Sequence, residues 1–112
     1  MRVVQVSKCY GASNGSGSGR LDAPQRLAVD VFGYVLVLDR NNDRVLLLSP
    51  GLAYVRDLLG RTVVRQPRRM CLDADTGRLY VGLLDGRVNV FRVISFTSPK
   101  SPPPSNAGLP SV

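Results

Sequence analysis

The chain has 112 residues and a formal net charge of +7, and 44% of its residues are hydrophobic, near the globular average. This length allows one small domain, and the charge favours an acidic partner, with a basic surface that binds nothing as the alternative. Histidine and Cys-x-x-Cys motifs are absent, which argues against the usual zinc sites and histidine-assisted nucleophiles. We expect no cofactor, no metal site, no catalytic residue and, because apolar runs are short, no membrane partner.

The N-terminal segment combines an alternating stretch with a loop rich in glycine and serine. Residues 2–6 alternate and are rich in valine, which predicts a β-strand. Residues 11–19 contain four glycines and three serines, which predicts a flexible loop. A phosphate-binding loop fits poorly, because Arg20 and Leu21 stand where Lys and Ser or Thr would be needed, and Pro24 opposes a following helix.

Short apolar runs then predict four antiparallel strands. Turn residues separate these runs, among them Gly33 and the polar loop 40–43. A helix is the alternative for residues 52–59, but the preceding Pro50-Gly51 break favours an outer strand. The predicted strands cover residues 26–30, 34–39, 44–49 and 52–59.

The same pattern returns 43 residues later, where residues 67–73 repeat residues 24–30. Strands are predicted again, with an Asp85-Gly86 hairpin turn between the last two. A repeat of about 40–45 residues made of short apolar strands is typical of β-propeller blades. The strands of this second copy cover residues 68–73, 78–83 and 87–93.

We therefore predict an all-β fold, with about two four-stranded antiparallel blades of an incomplete β-propeller and a disordered C-terminal tail. Residues 1–10 would end a preceding blade, and residues 11–23 would form the Gly/Ser-rich loop. The first repeat is residues 24–66 and the second, partial repeat is residues 67–93. Residues 94–112 contain five prolines and no sustained period, which predicts an extended, disordered tail.

Four isolated residues carry simpler expectations. Cys9 and Cys71 are expected to be buried free thiols, while a disulfide between them stays open until their separation is known. Asp30 and Asp73 each end the first strand of a repeat, and they are expected to cap the turns that follow.

An ordered set of short motifs resembles the NHL-repeat β-propeller family, which includes tripartite-motif-like proteins. The family pattern is a Gly-rich loop, Pro, a strand ending in Asp, Gly, a second strand ending in Asp, and Asn-x-Arg-Val. In this chain the motifs stand at residues 17–19, Pro24, residues 27–30, Gly33, residues 35–39 and residues 42–45. The similarity covers about residues 2–93. It departs from the pattern at Asp43, the position of the signature His, and at Leu83, where the second copy lacks the first copy's Asp.

The resemblance implies a propeller of about six blades, so further blades from the same gene product or from an oligomer would be needed to close it. Relatives include tripartite-motif ubiquitin ligases, RNA-binding translational repressors and peptidyl-amidating lyases. It therefore implies a fragment that serves as a binding scaffold for protein partners or RNA. The alternative is a portion of an enzyme, either the substrate-recognition end of an E3 ubiquitin ligase or a propeller lyase or lactonase.

In a propeller blade, the loops entering the first strand and those joining the second and third strands share one face. Arginine suits that face because its planar guanidinium binds phosphate or carboxylate groups. We expect Arg44 to have a structural role instead. Arg44 and Asp39 flank one hairpin and are predicted to pair across it. The candidates for binding a protein or RNA partner are Arg26, Arg40, Arg68, Arg69 and Arg87.

Overall fold

A computed structural model describes residues 2–11, 13–14 and 20–93, and nearly all of its regular structure is β-strand. This confirms the predicted all-β class. No helix among these residues is long and apolar enough to cross a membrane. In chain order the strands are β1 (Ser13–Asn14), β2 (Arg20–Leu21), β3 (Pro24–Val29), β4 (Val35–Asp39), β5 (Arg44–Leu48), β6 (Tyr54–Leu59), β7 (Pro67–Asp73), β8 (Arg78–Leu83) and β9 (Val88–Arg92).

Two antiparallel sheets follow the two repeat copies. The first sheet has the order β3-β4-β5-β6 and the second has the order β7-β8-β9, while β1 and β2 form a short parallel pair. The helix considered for residues 52–59 is wrong, because β6 pairs with β5 along this segment. The second sheet has three strands in the described part of the chain, and these are the three predicted for the partial second repeat. The predicted tail, together with residues 12 and 15–19 of the Gly/Ser-rich loop, lies outside the described residues.

The two copies share a bulge in their first strand, which is a structural trace of the repeat. The pairing of β3 with β4 shifts between Pro24 and Arg26, and the pairing of β7 with β8 shifts between Pro67 and Arg69. Proline cannot donate a ladder hydrogen bond, so it is tolerated at a strand start and beside a bulge. The repeat therefore places Arg26 and Arg69 at equivalent positions, each directly after a bulge.

Leucine and valine side chains fill the space between the two sheets. Alternate residues of β4 and β5 face the second sheet, and alternate residues of β8 face the first. Burying each such side chain contributes about 1.5–3 kcal/mol, so this interface holds the sheets together. The buried residues of the cluster are Leu36, Leu38, Val45, Leu47, Val64, Met70, Leu79, Val81 and Leu83.

The opposite face of the first sheet is covered as well. Val37, Leu46 and Leu48 form a second buried cluster, against which Tyr10 and Leu21 pack. Both faces of β4 and β5 are therefore buried, as the continuous apolar runs of these strands predict.

Two aspartates close the turns after the first strand of each sheet. Asp30 Oδ1 accepts hydrogen bonds from the backbone N–H groups of Phe32 and Tyr34, both at 2.9 Å. Asp73 Oδ1 accepts one from the N–H of Asp75 at 3.2 Å. The predicted capping role of both aspartates is confirmed.

Two expectations are wrong. Residues 2–6 form no strand and are exposed, because valine-rich sequence needs a neighbouring strand to pair with, and no described strand lies beside it. Cys9 and Cys71 are exposed free thiols rather than buried ones. Cys71 lies opposite the half-buried Tyr80, on the face of the second sheet that the first sheet does not cover, and Cys9 lies in the exposed N-terminal segment.

Candidate partner-binding surface

The first strands of the two sheets each present an arginine to solvent. Arg26 in β3 lies opposite Leu38, and Arg69 in β7 lies opposite Gly82. Both arginines are exposed, and neither pairs with a carboxylate among the described residues. Because β3 and β7 are neighbours in space, the two guanidinium groups border a single hollow.

This hollow, here named the Gly82 hollow, has a volume of about 600 Å³. In the first sheet, the position equivalent to Gly82 holds Leu38, which is fully buried against the second sheet. Glycine therefore removes the side chain that occupies this place in the other copy. The residues lining the hollow are Arg26, Arg69, Met70, Cys71, Tyr80, Gly82 and Val88.

A second hollow, the Arg40–Arg68 hollow, has a volume of about 220 Å³ and a mostly polar lining. Arg40 begins the short 3-10 turn that follows β4, and Arg68 lies in the bulge of β7. Both are partly exposed, and neither has a carboxylate partner in the described residues. The lining residues are Arg40, Asn41, Asp43, Gln66, Arg68 and Leu84.

The one carboxylate that lines the Arg40–Arg68 hollow already has partners. Asp43 Oδ1 accepts a hydrogen bond from the backbone N–H of Gln66 at 2.8 Å. Its Oδ2 lies 3.1 Å from Arg61 Nε. Asp43 therefore joins the hairpin of the first sheet to the segment that enters the second, and its charge is balanced by Arg61.

The structure brings Asp39 and Arg44 together. Arg44 Nε donates to Asp39 Oδ2 at 2.8 Å, and the Asp39 carboxylate is fully buried. Asp39 also accepts hydrogen bonds from Asp22 N at 2.7 Å and from Asn42 Nδ2 at 2.8 Å. Arg44 lies 3.6 Å from Asp57 as well and is only 12% exposed. These contacts hold Arg44 inside the fold, where its guanidinium closes the hairpin.

Arg87 occupies a different environment from the other candidate arginines. Its Nε and Nη2 atoms each lie 2.9 Å from Asp85 Oδ2, and both side chains are more than half exposed. The backbone N–H of Arg87 donates to Asp85 Oδ1 at 3.0 Å, and this bond, with the neighbouring guanidinium, lowers the pKa of the Asp85 carboxyl. Arg87 thus closes the Asp85-Gly86 turn and lines neither hollow.

The predicted partner-binding arginines therefore fall into three places. Arg26 and Arg69 share the Gly82 hollow, Arg40 and Arg68 share the smaller polar hollow, and Arg87 lies apart. Sequence reasoning missed the Gly82 hollow. An alignment of the two copies shows the relevant difference, because the second copy has glycine where the first has leucine.

Within the described residues, no group of three or more Cys, Asp or Glu side chains is placed to hold a metal ion. Comparison with known proteins finds no family model that matches the chain and no curated protein that matches it.

Proposed function

We propose that this chain is a segment of a binding protein, in which two propeller-like sheets hold a basic surface against an acidic protein partner. The observation that carries the proposal is the placement of four arginines beside two hollows, without carboxylate partners among the described residues. They stand on strand bulges and a tight turn, so rigid elements position them. These arginines are Arg26, Arg40, Arg68 and Arg69.

Arginines with a structural role in this fold have aspartate partners. Arg44 pairs with Asp39, Arg61 with Asp43, and Arg87 with Asp85. Among the described residues, the guanidinium groups at the two hollows have no such partner, which leaves them available for carboxylates or phosphates of another molecule. Hydrogen bonds between ionised groups are about twice as strong as neutral ones, so each would contribute to binding.

A protein partner is favoured because the larger hollow combines charge with apolar walls. Tyr80 and Val88 lie beside Arg69 there, and a protein surface supplies apolar side chains together with carboxylates. RNA is the second candidate, and the Arg40–Arg68 hollow favours it. That hollow places the amides of Asn41 and Gln66 beside two guanidinium groups, a set suited to phosphates and base edges.

The proposal includes the wider architecture that the repeat implies. Two sheets packed face to face, with one further sheet face open, are what an NHL-type propeller segment would present. Either further blades, from the same gene product or from an oligomer, would complete the ring, or a partner would occupy the open sheet face in their place. Nothing among the described residues favours the enzyme alternative over this binding role.

Binding to two defined acidic probes tests the proposal. We would measure fluorescence anisotropy of a labelled octaglutamate peptide and a labelled octauridine RNA with the full chain at about 50 and 200 mM salt. Electrostatic binding should weaken steeply over that range, because salt screens the charges and competes for them. Replacing two arginines of one hollow with alanine should reduce affinity about tenfold, as expected for the loss of charge-assisted contacts.

The test variants are R26A/R69A and R40A/R68A. The control is R20A/R56A, which removes the same charge from exposed positions outside both hollows. Failure of both probes to bind at the lower salt concentration would overturn the proposal, and so would equal losses in the test and control variants.

A further inference from the structure

The outer surface of the second sheet is an ordered face that no described segment covers. Residues directly opposite each other in an antiparallel sheet project to the same side, so the register fixes its composition. Val88 and Val90 on this face are 65% and 55% exposed. Its three rows, here named the open face, are Arg69–Gly82–Val88, Cys71–Tyr80–Val90 and Asp73–Arg78–Arg92.

The equivalent face of the first sheet shows what such a surface does in this fold. Its rows are Arg26–Leu38–Val45 and Ala28–Leu36–Leu47, and their leucines and valines are buried under the second sheet. The equivalent sheet face is therefore covered by a neighbouring sheet in the first copy and exposed to solvent in the second copy. The open face has kept the apolar positions but carries Gly82 where the first copy has Leu38.

The charges around the open face identify the kind of partner that fits it. Arg69, Arg78 and Arg92 lie on it, Arg26 borders it, and Asp73 is the one carboxylate in its rows. Asp73 is already engaged in capping its turn. A second copy docking through the same face would bring like charges together, which is unfavourable. The complementary partner is acidic.

We propose that the open face docks an acidic protein segment, which inserts a large apolar side chain into the Gly82 hollow and places carboxylates against Arg26 and Arg69. This inference rests on the proposed binding function and names the chemistry of the partner at one of its two hollows. The apolar side chain packs between Tyr80 and Val88, and the guanidinium groups at the rim donate hydrogen bonds to the flanking carboxylates.

The backbone at Gly82 permits a direct test by filling the hollow. A Cβ atom at this position would lie 3.8 Å from Arg69 Cβ, an ordinary van der Waals contact, and Gly82 does not need a positive φ. Gly82→Leu therefore restores the side chain of the first copy and occupies the hollow from within. Gly60→Leu is the matched control, because a Cβ there meets no atom within 4 Å.

The probes are labelled octapeptides added to the full chain, with anisotropy as the readout. The main probe has a central leucine pair between two runs of three glutamates. In two control peptides, serine replaces the leucines or lysine replaces the glutamates, and octauridine RNA is the fourth probe. Thermal melting of each variant establishes that it is folded.

We expect the leucine–glutamate peptide to bind at least about tenfold more tightly than the serine–glutamate peptide, since one buried leucine contributes that much. G82L should lower its affinity about tenfold, and R26E/R69E should lower it further, because it adds repulsion. G60L and the charge control R20E/R56E should stay within about twofold of the unsubstituted chain.

Four outcomes would overturn the inference. If both glutamate peptides bind equally and G82L has no effect, the proposed function stands but the hollow does not take an apolar side chain. If octauridine competes with the peptide and G82L abolishes its binding, the open face is an RNA site. If the chain forms dimers that G82L dissociates, a second copy occupies the face. If no acidic probe binds, the inference and the proposed function fail together.

Discussion

The two sheets are copies of one repeat, yet they differ in what covers them. The central strands β4 and β5 of the first sheet are buried on both faces, by the second sheet on one side and by Tyr10 and Leu21 on the other. The second sheet has one covered face and one open face with exposed valines. The first sheet is thus the stable centre of the described structure, and the second supplies its exposed surface.

The hairpins of the two sheets repeat this contrast at the level of single residues. In the first sheet, the second strand ends in the buried Asp39, which Arg44 neutralises. In the second, the equivalent strand ends in Leu83, and the nearest acidic partner of Arg87 is the exposed Asp85. The second hairpin therefore has an exposed charge pair where the first hairpin has a buried one.

Replacing Asp39 with alanine should produce the largest effect. It removes the 2.8 Å carboxylate partner of the mostly buried Arg44 guanidinium, which should lower the free energy of unfolding by about 3–5 kcal/mol. Asp85→Ala in the other hairpin should leave the free energy of unfolding nearly unchanged, because that pair is exposed. Chemical denaturation of both variants measures the difference, and equal losses would show that the two hairpins are held in the same way.

Truncation of equivalent apolar residues should reveal the difference between the two faces. Leu47 and Val90 occupy corresponding positions, but Leu47 is buried between the sheets and Val90 is exposed. Leu47→Ala should lower the free energy of unfolding by about 2–5 kcal/mol. Val90→Ala should change it by less than about 0.5 kcal/mol. A large loss for Val90→Ala would mean that another part of the protein already covers the open face.

The two capping aspartates should differ by a smaller amount. Asp30 accepts two backbone hydrogen bonds and Asp73 accepts one. At about 1 kcal/mol for each hydrogen bond, Asp30→Ala should cost about twice as much stability as Asp73→Ala. Thermal melts of the two single variants test this order, and a larger loss for Asp73→Ala would contradict it.

The smallest effect concerns pH. The pKa of Asp85 is lowered, first by the backbone N–H of Arg87 and then by its side chain. The charged carboxylate therefore favours the folded turn above the ordinary aspartate pKa, and this contribution disappears as the pH falls through the lower folded value. Carboxyl NMR titration should show a lowered pKa that persists in part in Arg87→Ala, which keeps the backbone N–H. A full return to the ordinary value would assign the effect to the side chain.

The local elements were accessible from the sequence because each has a local cause. The strands of both copies follow from short apolar runs. The turn after β3 follows from Asp30, whose carboxylate caps it, and from Gly33, whose backbone adopts a positive φ. The strand predicted at residues 2–6 was wrong because pairing depends on what lies beside a segment. The exposure of Cys71 was missed for the same reason, since alternation in β7 does not say which face is covered.

The candidate site was predictable only in part. The arginines were identifiable as a class, and the Asp39–Arg44 contact follows from their places on either side of one hairpin. Their grouping into two hollows was not predictable, because it depends on how β3 and β7 come together and on the register shifts that precede Arg26 and Arg69. The role of Gly82 in forming a hollow becomes clear only when the structure shows that Leu38 is buried at the equivalent position of the first sheet.

The central claim is that the open face and the two basic hollows bind an acidic partner while the first sheet holds the structure. An NMR titration of the ¹⁵N-labelled chain with the leucine–glutamate octapeptide tests it most directly. We predict amide shifts that cluster at Arg69, Cys71, Gly82 and Val88, with the buried strands β4 and β5 unaffected. Shifts spread evenly over both sheets, or absent from the open face at saturating peptide, would contradict the account.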